Sequence, residues 1–357
     1  MRAPEVLDHK ADLMVRLENP VIRRAWRHQV SLDLKAPFNP LKQATPKSLI
    51  QSQSAAVVEA LRITLPKAEA YHVSAEMGTV VQYAASQLDD LDRIDRTIMP
   101  TRSGIARFEG GLPFYDVRGR KMLVSWAVWV PVLANYAEPR HDKGEPFEAT
   151  VIYLFNDHRE EPDDIYRLLP TSVDSSGNPP GPGEVEALDR LLGRWGFIGA
   201  ETAYDQTRLG PAAVEPDEAK RAEILAEGDV PHQYTNPMRL MHAFWLLLGQ
   251  TITDTSDAPV DRSRRKRAGR AGIPDRVTVI QLRNRESKKS EGESLVEWSH
   301  RWVVRGFWRW QACGPNHPLA QEMGPGVYRA RIWIAPFVKG PKDKPLVVTD
   351  KVYALHR

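Results

Sequence analysis

The stretch LPFYDVRGRKMLVSWAVWVPV, residues 112–132, indicates the fold class because it contains the clearest β-pattern in the chain. A hairpin turn is predicted at Arg118-Gly119, and the β-branched and aromatic residues of 122–132 predict a long strand after it. Another strand is expected at 149–155, ATVIYLF. Since strands and helices do not alternate regularly here, the pattern predicts a mixed α+β domain with an antiparallel sheet.

Helices are predicted ahead of this stretch. Residues 11–30 show helical spacing of apolar side chains, with a break at Asn19-Pro20 that separates two short helices. The pair also fits a helix-turn-helix, although two simply packed helices are the commoner outcome. Another helix is expected at 46–62, and residues 71–88 predict a strand that leads into a helix.

The chain divides into segments of different composition. Residues 171–183, TSVDSSGNPPGPG, predict an exposed linker after a mixed domain at 1–170. A helical segment is expected at 184–258, and its most apolar helix at 236–253 is expected to be buried. The last segment, 259–357, predicts an antiparallel β module that packs on this helix.

The composition is that of a folded protein of a reducing compartment. Of the 357 residues, 42% are hydrophobic and 27% are charged, which lies in the globular range. Cys313 is the single cysteine, so no disulfide forms within one chain. The longest apolar run, 243–248, is too short to span a bilayer, and a cytoplasmic protein without membrane contact is expected.

Charge is distributed unevenly along the chain. Residues 259–357 contain 21 Lys and Arg against 9 Asp and Glu, a net charge of +12, whereas the preceding residues contain 28 against 37, a net charge of −9. Such a pattern predicts a polyanionic partner for the basic part. The acidic part is expected either to contact a protein partner or to dock on the basic part.

Motifs of common cofactor enzymes are missing from the sequence. It contains no Gly-rich dinucleotide or P-loop fingerprint, no HExxH, no CxxC, no GxSxG and no kinase motifs. The acidic run 156–164, NDHREEPDD, is interpreted as a helix start rather than a metal site, because no lysine accompanies it. No cofactor and no metal are therefore expected.

Residues 298–311, WSHRWVVRGFWRWQ, contain the most informative pattern for function. On a single strand, the period of two places arginines on one face and tryptophans on the other. The arginines form a predicted ladder of phosphate contacts, and the aromatics between them can stack bases. Alternatively, the tryptophans are core and the arginines a solvated face. The expected nucleic-acid contacts are Arg301, Arg305, Arg309, Arg331, Lys339 and Lys344.

A second basic cluster lies in the run 261–272, DRSRRKRAGRAG, which is expected to be a linker. Its like charges repel one another unless an anion lies close, which favours phosphate contact over a merely solvated loop. The expected contacts are Arg264, Arg265, Lys266 and Arg267.

A catalytic alternative involves His300. Together with Arg305 and Lys339 it would suffice for metal-independent cleavage of RNA, in which one group removes the 2′-hydroxyl proton and cations stabilise the phosphorane. A histidine between tryptophans is more often a buried structural residue. The sequence thus leaves open whether the protein is an enzyme.

The segments RWVVRGFWRWQ (301–311) and RIWIAPFVKGP (331–341) resemble a family of uncharacterised proteins from actinobacteria and their phages. Phe307 stands where the family pattern has a histidine. The resemblance implies a bacterial or phage setting and brings no activity with it. We therefore expect a nucleic-acid-binding regulatory or accessory protein, with DNA or RNA as partner, and keep two alternatives: a toxin-like ribonuclease and a host-interaction or structural protein.

Overall fold

The fold combines helices with a mixed seven-stranded sheet and a separate three-stranded antiparallel sheet, which confirms the predicted α+β class. Two compact units comprise Met1–Leu248 with Asp254–Leu282, and Gly249–Thr253 with Arg283–Arg357. The computed structural model describes residues 3–33, 47–88, 94–115, 121–134, 147–157, 193, 195–203, 237–283, 301–304, 306–317, 319–335, 337–339 and 346–347. The predicted linker at 171–183 lies outside these residues.

The first two helices are α1 (Glu5–Glu18) and α2 (Pro20–Asp33), and they separate at Asn19-Pro20 as predicted. The Asn19 side chain accepts a hydrogen bond from the backbone N–H of Val21 at 2.9 Å, which caps α2. Pro20 takes the first helical position, where a missing N–H costs nothing. The predicted helix at 46–62 is α3 (Lys47–Thr64).

Lys10 anchors α1 on the start of the first strand, β1 (Glu69–Val73). Its buried ammonium donates hydrogen bonds to the backbone carbonyls of Pro66 and Ala68. Burial lowers the pKa of Lys10 to about 8, because charge is less stable away from water. Asp8, two residues earlier on α1, points to a different side of the helix.

The predicted hairpin is formed by β2 (Gly104–Tyr115) and β3 (Lys121–Ala134). Tyr115 pairs with Lys121, and the turn at Arg118-Gly119 lies outside the described residues. Gly110 and Gly111, with φ of 80° and 68°, occupy a bulge in β2 where the register shifts. Glycine adopts such φ angles without strain, so these two residues permit the bulge.

The large sheet has the strand order β5-β4-β3-β2-β1-β7-β6. Its remaining strands are β4 (Phe147–Asp157), β5 (Trp195–Ala203), β6 (Thr253–Asp257) and β7 (Val277–Leu282). The pairs from β2 to β5 are antiparallel, as predicted, but β1 is parallel to both β2 and β7. The prediction of an antiparallel sheet is wrong for β1, because the connection through α4 (Ala75–Ser86) is a crossover between parallel strands.

The strand β7 belongs to the large sheet and not to a C-terminal antiparallel sheet, so that prediction is wrong for residues 277–282. It pairs in parallel with β1, with Ala70 opposite Val277 and Val73 opposite Ile280. Val277 and Ile280 point to opposite faces of β7, and both are fully buried. A strand buried on both faces fits a sheet that has other elements packed against each of its faces, as the large sheet has.

The large sheet buries both of its faces. On one face, Trp126 packs with Trp195 at 4.9 Å between ring centroids, in a core shared with α1, α2 and α3. On the other face, Trp129 lies 6.2 Å from Phe244 and 6.1 Å from Trp245 of α5 (Pro237–Leu248). The apolar helix predicted at 236–253 is therefore buried in the first unit, and it ends at Leu248.

The segment expected to be a basic linker is α6 (Arg262–Arg270), a helix that connects β6 to β7 within the first unit. The linker prediction is wrong because the run has helix-forming residues between two end signals. Asp261 caps its start, and Gly272 follows its end with a φ of 66°.

The described residues of the second unit form two small sheets. The antiparallel sheet has the order β10-β11-β9, formed by β9 (Phe307–Ala312), β10 (Ala320–Gly324) and β11 (Val327–Ile334). The other sheet joins β8 (Arg301–Val304), β12 (Phe337–Lys339) and β13 (Leu346–Val347), with β8 in the centre.

Two glycine substitutions should change stability in opposite directions. Gly104 lies against the Trp129 indole, and a Cβ added there would overlap the ring, whereas nothing lies within 4 Å of a Cβ added at Gly269 of α6. We expect Gly104→Ala to destabilise the fold by about 1–3 kcal/mol through overpacking. Gly269→Ala should stabilise it by about 0.5–1 kcal/mol, because alanine favours the helix. Urea midpoints of both variants test this, and equal shifts would contradict it.

Candidate nucleic-acid interface

The helix α6 is well defined at both ends although most of its residues are charged. Asp261 accepts a hydrogen bond from the backbone N–H of Arg264 at 2.9 Å. The pKa of Asp261 lies well below its ordinary value, because the Ser263 hydroxyl and this N–H stabilise the carboxylate. At the other end, the N–H of Ile273 bonds the carbonyl of Ala268 and the N–H of Gly272 bonds that of Gly269, which forms a Schellman motif.

The inner side of α6 is held by Asp8 of α1. Its carboxylate lies 2.8 Å from Nε of Arg264 and 2.9 Å from Nη2 of Arg267, and Ala268 on the same side is buried. Burial raises the pKa of Asp8, but the hydrogen bonds and charges of the two guanidinium groups outweigh this effect and hold the pKa below its ordinary value. Two of the four arginine and lysine residues predicted in this run therefore share the Asp8 carboxylate as a partner.

The outer side of α6 carries a row of exposed cations, Arg262, Lys266 and Arg270, which we call the cationic stripe. Their spacing of four residues places them along one face, about 12 Å from first to last at 1.5 Å per residue. Among the described residues, none of the three has an acidic group within ion-pair distance. Sequence analysis found Lys266 but missed Arg262 and Arg270, although the i, i+4, i+8 spacing was available as a signal.

Arg265 lies beside the cationic stripe and has a weak partner. Its Nε is 3.8 Å from Oδ2 of Asp275, and both side chains are more than half exposed. Exposed pairs of this length contribute little to stability, because water screens them and both side chains stay mobile. Nη2 of Arg265 also donates to the carbonyl of Val260 at 3.1 Å, so it is the contact with Asp275 that this arginine can exchange for an external phosphate at small cost.

The unit boundaries change the charge asymmetry deduced from the sequence. With α6 in the first unit, that unit contains 35 Lys and Arg against 39 Asp and Glu, and the second unit contains 14 against 7. The net charges are −4 and +7, compared with −9 and +12 for the division at residue 259. The cationic stripe is thus a local basic surface on a unit that is slightly acidic.

A cleft of about 370 Å³ lies between α1 and α6. Its lining combines the Asp8 carboxylate and two guanidinium groups with three apolar side chains: Leu7, Asp8, Ala11, Arg264, Arg267 and Ala268. Because the carboxylate already neutralises much of the cationic charge there, the cleft is a weaker anion site than the cationic stripe.

The antiparallel sheet of the second unit carries a second group of cations and rings. Directly opposite residues share a face, so Arg331 lies on the face of its partner Trp310, together with Trp308 and its partner Trp333. The Arg331 guanidinium carbon lies 5.7 Å from the ring centroid of Trp308 and 5.8 Å from that of Trp310. Arg309 lies on the other face and donates a hydrogen bond to the Gln311 side chain at 2.8 Å.

The arginine ladder predicted for residues 298–311 does not lie on one strand. Arg301 belongs to β8, which pairs with β12 and β13, whereas Arg309 belongs to β9, which pairs with β11. Between the two strands, Gly306 is not in strand conformation, and a missing side chain weakens strand structure. Within β9 the predicted separation of tryptophans from Arg309 is correct, but Arg331 joins the tryptophan face.

Several predicted site residues lie outside the described part of the chain. These are His300, Arg305 and Lys344, so the catalytic group proposed around His300 stays a prediction. Lys339 is the last residue of β12, paired with Trp302, rather than part of a turn. The side chains of Arg301 and Lys339 are not described.

A buried polar group in the first unit was missed by sequence analysis. His72 of β1 lies opposite Arg107 of β2, with Nε2 3.8 Å from the Glu109 carboxylate. Burial lowers the pKa of His72 more than Glu109 raises it, so the ring is neutral near pH 7. Arg107 donates to the carbonyls of Phe108 and Ser125 and lies over Trp126, which indicates a structural role.

The comparisons with known proteins include a weak structural similarity. No family model and no curated protein sequence matches the chain. A solved structure described as the crystal structure of AcrVA2 is similar with a TM-score of 0.34 and 11% identity, over 94% of this chain and 93% of that one. A similarity of this size establishes neither a shared fold nor a shared function.

Among the described residues, no helix combines the length and the apolar character needed to cross a bilayer. Within the same part of the chain, no group of three or more His, Cys, Asp or Glu side chains is arranged to hold a metal ion.

Replacing Asp8 should loosen α6 in a pH-dependent manner. The folded state lowers the pKa of Asp8, so its contribution is present above the ordinary carboxyl pKa of about 4 and is lost as the pH falls through the folded value. We expect Asp8→Asn to cost roughly 1 kcal/mol at neutral pH, since the ion pairs are partly exposed.

Chemical denaturation of the wild type and of Asp8→Asn, at neutral and at acidic pH, measures this difference. The gap between the two proteins should narrow towards acidic pH. A gap that is constant with pH would show that the Asp8 charge is not what holds α6.

Proposed function

We propose that this protein binds nucleic acid and acts as a regulatory or accessory factor in a bacterium or phage. The observation that carries the proposal is the cationic stripe of Arg262, Lys266 and Arg270, exposed on a helix whose other side is anchored to α1. A fixed row of cations without acidic partners among the described residues is an electrostatic binding surface for phosphates.

The stripe carries a cost to folding. Like charges four residues apart on a helix repel each other, and the unfavourable position of Arg262 in the first turn offsets the favourable position of Arg270 in the last turn of the helix dipole. A nine-residue helix is also too short to be stable by itself, so α6 depends on Asp261, Asp8 and Gly272. Cations kept at a cost to stability favour a binding role over a merely solvated surface.

The dimensions of the stripe suit a nucleic-acid backbone. Three cations along about 12 Å of helix cover a length over which one strand of B-DNA presents three to four phosphates, at about 3.4 Å each. Arg265 beside the stripe can join these contacts, because its pairing with Asp275 is weak. Backbone contacts of this kind do not discriminate between base sequences.

The second unit supplies further cations to the proposed function. Arg309 and Arg329 are exposed on its antiparallel sheet, and the unit has a net charge of +7. A bacterial or phage setting is supported by the resemblance of residues 301–311 and 331–341 described above. The acidic character of the first unit away from α6 suits contact with a protein partner.

The cationic stripe should dominate salt-dependent binding. We expect the triple change Arg262→Gln, Lys266→Gln and Arg270→Gln to weaken binding of a short DNA duplex and to reduce the slope of log K against log salt by about 2.7, or about 0.9 for each lost contact. Fluorescence anisotropy over a salt series measures both quantities. In a parallel incubation with a short RNA strand, the length of the RNA afterwards separates binding from cleavage.

A matched control removes three exposed cations of the first unit outside α6: Arg24→Gln, Lys67→Gln and Arg102→Gln. The control variant has the same net charge as the stripe variant, so a general charge effect would weaken DNA binding by the two variants equally. The proposal requires the control to keep most of the affinity. Equal losses, or wild-type binding that ignores salt, would contradict it.

A further inference from the structure

The second unit exposes an indole ring on a sheet surface that also carries arginines. Trp310 of β9 is 38% exposed, although a side chain of this size is usually mostly buried. Arg329 is also exposed. It lies on the same face as Trp310, because it pairs with Ala312, which is two residues from Trp310 along β9. A ring and a cation thus stand next to each other on one accessible surface.

The exposed ring is held in place by a row of stacked groups. Trp333 is buried and meets Trp308 edge to face at 5.1 Å between centroids. The Arg331 guanidinium lies over both Trp308 and Trp310. Trp310 is therefore the outermost member of the row Trp333, Trp308, Arg331 and Trp310, and cation–π contact restrains its ring before any ligand binds.

Gln250 holds β11, the central strand of this sheet, which carries Arg331 and Trp333. Its side-chain amide donates to the carbonyl of Arg331 and accepts from the N–H of Trp333, each at 3.0 Å. These two backbone groups lie beyond the point where β10 stops pairing with β11, so the glutamine takes the place of the missing strand partner. At Arg331 and Trp333, the backbone of β11 is thus hydrogen-bonded on one edge to β9 and on the other edge to Gln250.

We propose that this face, which we call the Trp310 surface, binds an unpaired base of a single-stranded nucleic acid by stacking on Trp310, with Arg329 contacting the neighbouring phosphate. Every base has a flat π-face that stacks on an indole, and a duplex keeps its bases stacked on each other. The required ligand is therefore a strand with unpaired bases, whether DNA or RNA.

This inference shares with the proposed function only the class of partner. The cationic stripe contacts phosphates and accepts single or double strands, whereas the Trp310 surface distinguishes unpaired bases from paired ones. Stacking is only weakly dependent on salt, since few counterions are released by it. The two sites are thus separable by the kind of strand and by the salt slope.

The test compares Trp310→Ala, Trp310→Phe and the control Phe307→Ala in the full chain. Phe307 lies on the same strand with the same exposure of 38%, but it points to the opposite face. The probes are short oligothymidylate, short oligouridylate and an abasic strand of equal length, which keeps the phosphates but lacks bases.

We expect the wild type to bind both base-containing strands more tightly than the abasic strand. Trp310→Ala should lose this preference, with a roughly 10- to 100-fold weaker affinity for the base-containing strands. Trp310→Phe should retain part of it, and Phe307→Ala all of it. Thermal unfolding of each variant confirms that the fold is intact.

Equal wild-type binding of abasic and base-containing strands would overturn the Trp310 surface and leave the proposed function standing. Equal effects of Trp310→Ala and Phe307→Ala would overturn it as well. The proposed function would fail in a different way: the wild type would bind every strand with an affinity that does not change with salt concentration.

Discussion

The parallel pairing of β1 with β7 joins residues about two hundred positions apart, with Ala70 opposite Val277 and Val73 opposite Ile280. Buried backbone groups of both strands need partners, and this pairing supplies them on that side of β1. The helix α6 lies in the connection that leads into β7, so the same pairing brings α6 against Asp8 of α1. The position of the cationic stripe thus depends on a strand pair that contains none of its residues.

Charge that is segregated along the sequence is less segregated in space. The run from Arg262 to Arg270 contains six of the chain's basic residues, and it folds into the unit with a net charge of −4. The Asp8 carboxylate neutralises part of it, through Arg264 and Arg267. The sequence presents internal docking and anion binding as alternatives. In α6, one side docks on α1 through Asp8, and the other side carries the exposed cations of the cationic stripe.

The two candidate surfaces differ in what they can recognise. The helix presents exposed cations, which can contact a line of phosphates without regard to base or strandedness. The sheet presents a restrained ring beside Arg329, and stacking on Trp310 requires a base that is free of its own partner. A protein with both would combine general affinity from the first unit with a preference for unpaired strands from the second.

Local patterns in the sequence determined the local elements. Asn19-Pro20 predicted the helix break, the apolar run of 122–132 predicted β3, and the alternation in 307–312 predicted which side of β9 carries the tryptophans, because each depends on neighbours along the chain. The tertiary structure alone decided the partners: that β7 joins β1, that β8 and β9 belong to different sheets, and that Asp8 covers one side of α6. Strand pairing and ion pairing between distant residues depend on which surfaces meet in space, and spacing along the chain does not encode that choice.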